Sequence, residues 1–97
     1  MSDKWDRIGF VISSQYRVSV LERLSKGPAT PSGIADDRGI EIAAVSHALS
    51  ELGERGLVEL LVSEDRRKGR VYGITEPGKT LWSEITAQGL LDDSQDR

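Results

Sequence analysis

The sequence predicts an α+β domain, mostly helical, with a two-stranded β-hairpin near its C-terminal end. Three observations carry that expectation. Apolar residues recur every three or four positions through most of the first 55 residues, the period of a helix with one buried face. The period then drops to two in "LVELLVS" and "RVYGIT", as in strands, around a polar stretch that contains a glycine. Cap and stop residues stand at the borders between these segments. A chain of 97 residues with 37% hydrophobic and 30% charged side chains fits one small globular domain with a thin core.

From Asp6 to Leu24 the spacing of Ile8, Val11 and Ile12, and then of Val18, Leu21 and Leu24, is helical, and Ser13 and Ser14 mark a point where one helix can become two. "KGP" at 26–28 stops this segment, because Gly27 suits a C-terminal turn and Pro28 cannot continue a helix. Thr30 is placed to cap a short helix with Pro31 in its first position, and Gly39 ends it. "IEIAAVSHALSELGERG" follows as an amphipathic helix with Ile42, Val45, Leu49 and Leu52 as its inward stripe and Gly56 at its end. In the hairpin, Val58, Leu60 and Val62 are expected on one face of the first strand, and Tyr72 and Ile74 on one face of the second. Thr75 caps a last helix running from Glu76 to about Leu90. The domain is expected to span 1–91, with 92–97 a disordered acidic tail.

Composition excludes several function classes. There is no cysteine, so this chain holds no disulfide, redox thiol or thiolate metal site, and its one histidine, His47, stands apart from any metal-binding spacing. No phosphate loop and no nucleophile partner for His47 are present, so no enzyme activity and no cofactor are expected. No apolar run reaches membrane-spanning length and the first residues lack a signal-peptide pattern, so the expected location is cytoplasmic. The net charge of −3 belongs to the end of the chain, where Glu84, Asp92, Asp93 and Asp96 face only Arg97, and residues 1–83 balance. Against that background, Arg66, Arg67, Lys68 and Arg70 form a dense basic cluster at the hairpin tip.

Two helices joined by a tight turn at Gly39 make a helix-turn-helix, whose second helix would place its N-terminal residues against base edges in the DNA major groove. Its outward residues are Ala43, His47, Ser50 and Glu54, flanked by Ala44 and Ser46. The alanines permit close approach and contact with thymine methyl groups, and Ser46 and His47 can hydrogen-bond. That helix has no Lys or Arg before Arg55 and carries Glu41, Glu51 and Glu54, so the basic hairpin tip would have to supply the phosphate contacts. The apolar residues at the two ends, chiefly Trp5, Phe10, Trp82 and Ile85, are expected to form a homodimer face.

"YRVSVLERLSKGPATPSGIA", "VSHALSELGERGLVEL" and "RKGRVYGITEPGK", in this order, resemble winged helix-turn-helix transcriptional regulators, short archaeal-type members related to the ArsR and MarR groups. The resemblance covers about residues 6–85. It implies a sequence-specific regulator of double-stranded DNA, with Ala43, Ala44, Ser46, His47 and Ser50 on the recognition helix and Arg66, Arg67, Lys68 and Arg70 on the wing. Thr30 and Ser32 match positions that meet backbone phosphates, and Arg17 matches a structural arginine. Asp65 would orient Arg67 toward the groove, as in the MarR-type wing. The ligands of ArsR-like metal sensors are absent, and Glu41 or Ile40 is a weak cap where Ser or Thr is usual. The alternative reading is a winged-helix protein–protein interaction module that does not touch DNA.

Overall fold

The computed structural model describes residues 3–62 and 70–89. Among them the chain forms α1 (Asp3–Ile12), α2 (Gln15–Ser25), α3 (Pro31–Arg38), α4 (Ile42–Glu54), β1 (Val58–Val62), β2 (Val71–Ile74) and α5 (Glu76–Ala87). The strands pair antiparallel, with Val58 opposite Ile74 and Leu60 opposite Tyr72. This is the winged helix-turn-helix architecture that the sequence predicts.

The serine pair does divide the first helical segment, and each serine has its own part. The Ser13 hydroxyl donates to the Phe10 carbonyl at 2.9 Å and closes α1, while the Ser14 hydroxyl accepts from the Arg17 amide at 3.3 Å and caps α2. Thr30 and Thr75 cap α3 and α5 by accepting from the amides of Gly33 and Gly78, at 3.0 and 3.1 Å. Gly39 ends α3 with φ of 67°, a left-handed conformation that a side chain disfavours. Glu41 precedes α4 without any side-chain cap bond, as its chemistry implies.

The core lies where α1, α2, α4 and α5 converge, around Ile8, Val11, Leu21, Leu24, Leu52 and Ile85, with Ile34 closing it from α3. Leu57 is also fully buried, in the short link between α4 and β1. Thr75 ties this link to α5: its hydroxyl donates to the Gly56 carbonyl at 2.7 Å and its amide donates to the Leu57 carbonyl at 3.1 Å. On its other edge β2 bonds to the loop before α3, through Ala29 and Tyr72, whose amides and carbonyls exchange bonds of 3.1 and 2.9 Å. The hairpin is thereby anchored on both sides of its second strand, which a lone two-stranded ribbon requires.

Four expectations need correction. Ile42 is not part of the inward stripe: it is 51% exposed, and Val45, Ala48, Leu49 and Leu52 make the buried face of α4. Leu60 is exposed as well: Val58 at the start of β1 is buried in the core, whereas Glu59, Leu60 and Leu61 are exposed. The ladder is irregular between Leu60 and Val62, so strict alternation does not hold across Leu61. Finally, α5 ends at Ala87, followed by Gly89 with φ of 65°, short of the expected Leu90, which lies outside the described residues together with Leu91 and the segment 92–97.

Candidate nucleic-acid interface

α4 has two edges beside its buried face. On one edge Ser46, Leu49, Ser50 and Gly53 line an open cleft of about 380 Å³ together with Pro31 at the start of α3 and Arg70 and Tyr72 at the base of the hairpin. Three separate elements thus meet on one surface: the first turn of α3, the outward side of α4 and the root of the wing. The Ala29–Tyr72 exchange is what holds the α3 start and β2 at this spacing. Thr30 and Ser32 stand at the same α3 start, their hydroxyl oxygens 3.5 Å apart. Arg70 is exposed, and its guanidinium Nη1 lies 3.4 Å from the Tyr72 hydroxyl, to which it can donate.

The other edge of α4 faces α2. Ala43, Ala44, His47 and Glu51 line a second open cleft, of about 410 Å³, with Ser14, Tyr16 and Arg17. Arg17 organises this side. Its guanidinium donates to the Phe10 carbonyl at 2.8 Å, to the Ser13 hydroxyl at 2.8 Å and to Glu51 at 2.7 Å, and it lies 4.1 Å from the centre of the Phe10 ring. Arg55 lies against that same ring, also at 4.1 Å. The second Glu51 oxygen accepts from His47 Nε2 at 3.2 Å. Glu51 is therefore not a bare charge on α4, since Arg17 and, when protonated, His47 offset it.

The hydrogen bond from Arg17, aided by the positive charges of His47 and Arg17, holds the Glu51 carboxyl below the ordinary glutamate value against a smaller opposing effect of desolvation. A carboxylate whose pKa is depressed on folding contributes stability above its unfolded pKa, and that contribution disappears as pH falls through the folded value. Glu51→Gln should accordingly melt below wild type at neutral pH, with the gap closing in acid. Thermal melts from pH 7 to pH 3 check this, and a gap independent of pH would remove Glu51 from the acid response.

The structure brings Ser46, Ser50 and Arg70 to one cleft beside Pro31, which Thr30 and Ser32 flank in the chain, with Ala43 and His47 exposed on the same helix as the serines and Ala44 half-buried. Arg66, Arg67 and Lys68, with Asp65, lie outside the described residues. Of the expected dimer residues, Trp5 is exposed and Trp82 half-buried. Phe10 is half-buried beneath two guanidinium groups. Ile85 is fully buried in the core of its own chain, which takes it out of any surface contact. Tyr72, Pro31 and Tyr16 were not anticipated. Tyr72 carried a signal as an aromatic residue two positions after the basic run, but only pairing with Ala29 places it in the cleft. Among the described residues no group of three or more acidic or histidine side chains could hold a metal ion, and no helix is long and apolar enough to cross a membrane.

Comparison with known proteins fits this geometry. The family profile of the HVO_A0261 N-terminal domain matches residues 5–92. The chain belongs to that family. No curated protein matches it. Among solved structures, the chain is similar to NMB1585, a MarR family regulator from Neisseria meningitidis, with a TM-score of 0.71 and 28% identity over 91% of this chain and 61% of that one. A mutant of ZitR from Lactococcus lactis gives a TM-score of 0.69 at 23% identity, over 76% of this chain and 51% of that one. The transcriptional regulator BldR from Sulfolobus solfataricus gives 0.68 at 21% identity, over 94% and 70%. The chain thus shares the winged-helix fold of MarR-type regulators while spanning about half the length of the ZitR chain.

Proposed function

We propose that this domain binds double-stranded DNA as a sequence-specific transcriptional regulator, with α4 in the major groove and the basic wing on the flanking backbone or minor groove. The observation that carries the reading is the cleft joining the α3 start, the outward side of α4 and the base of the wing. A surface of hydroxyls and a cation from three elements suits a phosphate backbone beside a groove. Similarity to structures described as transcription regulators supports the same reading. α4 offers no cation before Arg55, so Arg66, Arg67 and Lys68 are the groups we assign to the phosphates.

The functional unit in this reading is a homodimer that uses Trp5 and the half-buried Trp82, on the packed helices α1 and α5, and binds half-sites about one helical turn apart. The test is fluorescence anisotropy with duplex DNA across a salt series. Wild type should lose affinity steeply as salt rises, and Arg66→Ala with Arg67→Ala should weaken binding to every sequence and reduce the salt slope by about 2. No binding of random duplex at micromolar protein and low salt would point instead to a protein-interaction module. An unchanged slope would remove the wing from the mechanism.

A further inference from the structure

The isoleucine at the start of α4 is 51% exposed and lies outside the hydrophobic core of the described residues. Trp5, Ile12, Tyr16, Leu60 and Leu61 are the other large apolar side chains exposed among the described residues, and none of them is on α4. Ile42 occupies the first helical position, one turn before Ser46, on the edge that continues into the cleft shared with the wing. Its neighbours along the helix are small: Ala43 beside it and Ser46 one turn on are both exposed. A protein interface would surround such a residue with further apolar area, as the core of a docking patch needs. A single branched apolar side chain among small neighbours instead fits a small apolar target.

Resting on the DNA-binding reading above, we infer that Ile42 is a specificity-determining residue that packs on the 5-methyl group of thymine in the major groove. The first turn of a recognition helix is the part that reaches base edges. The thymine methyl is the one apolar group that base edges present there. Glu41, exposed and directly before Ile42, disfavours a phosphate at this end of the helix and leaves the uncharged base edge as the partner. Ser46, one turn on, is then placed for a hydrogen bond to the neighbouring base pair. The preferred half-site would carry thymine at the position under the α4 N-terminus.

Replacing thymine by uracil deletes that methyl group and nothing else. The probe is the best-bound duplex recovered by the wild-type chain from a random-sequence library, remade with each thymine singly replaced by uracil. Wild type should lose about fourfold in affinity at one thymine per half-site, the effect of removing one buried methyl group. Ile42→Ala should bind the parent duplex more weakly and show no uracil penalty at that position. Ile42→Val, which keeps a branched apolar side chain, should retain part of it. Unchanged melting temperatures for both variants exclude misfolding at this exposed site. If wild type binds the duplex but tolerates every uracil, or if Ile42→Ala keeps the full penalty, the inference is wrong although DNA binding stands. Recovery of no bound duplex at all would overturn the DNA reading, and this inference with it.

Discussion

An Arg17→Ala protein should melt about 10–20 °C below wild type, since loss of its charge-assisted hydrogen bonds and ring stacking costs about 2–3 kcal/mol and each kcal/mol moves a domain of this size by several degrees. The side chain is 14% exposed and joins three elements: Phe10 at the end of α1, Ser13 at the break, and Glu51 on α4. Among the described residues, removing it leaves Glu51 with His47, whose side chain is 77% exposed. Lysine should not restore the loss, because a single ammonium cannot reach a carbonyl, a hydroxyl and a carboxylate in the geometry of a planar guanidinium. On the DNA-binding reading proposed above, affinity should fall along with stability, since Arg17 ties α2 to α4 through Glu51. The check is thermal denaturation of Arg17→Ala and Arg17→Lys beside anisotropy at a temperature where each is folded. A drop in melting temperature of less than about 3 °C for Arg17→Ala would show that the network is incidental.

Gly78→Ala should be destabilising although it replaces glycine with the best helix former. Within a helix that exchange ordinarily gains about 1 kcal/mol. Here a Cβ would run into the Leu57 carbonyl and the Ile74 side chain, the first of which is backbone already bonded to the Thr75 amide. The Leu57 carbonyl cannot retreat without moving the α4–β1 link, so overpacking should cost about 2–3 kcal/mol net. Gly9→Ala is the matched control, because a Cβ at that exposed position in α1 meets nothing within 4 Å and should gain about 0.5–1 kcal/mol. Urea denaturation of both variants reads the two signs. A stabilised Gly78→Ala would mean that α5 can shift away from Leu57.

Much of the fold was legible because its signals are local. Thr30 and Thr75 satisfy amides three residues ahead, and Gly39 takes a left-handed conformation within its own turn, so each acts where it stands in the chain. The Ser13–Ser14 break is of the same kind. What failed was extrapolation of a period past the point where a partner ends. Ile42 has the spacing of a core residue, yet the buried face of α4 begins only at Val45. Leu60 alternates correctly with Val58, yet Val58 is buried and Leu60 is left exposed. Ile85 looked like spare apolar surface and is instead needed by a core that α5 completes.

The candidate site divides in the same way. The outward residues of α4 follow from the sequence, because helical phase is a property of a short stretch. Sequence alone therefore determined the element order, the caps and the helix that presents Ser46, His47 and Ser50. Tertiary structure alone decided the rest, because each remaining feature joins residues distant in the chain. Arg17 neutralises Glu51 across 34 positions, and Ala29 pins Tyr72 beside α4. Packing also decided that Ile42 is left outside the core, since whether an apolar side chain is buried depends on where its neighbours end and not on its own periodicity.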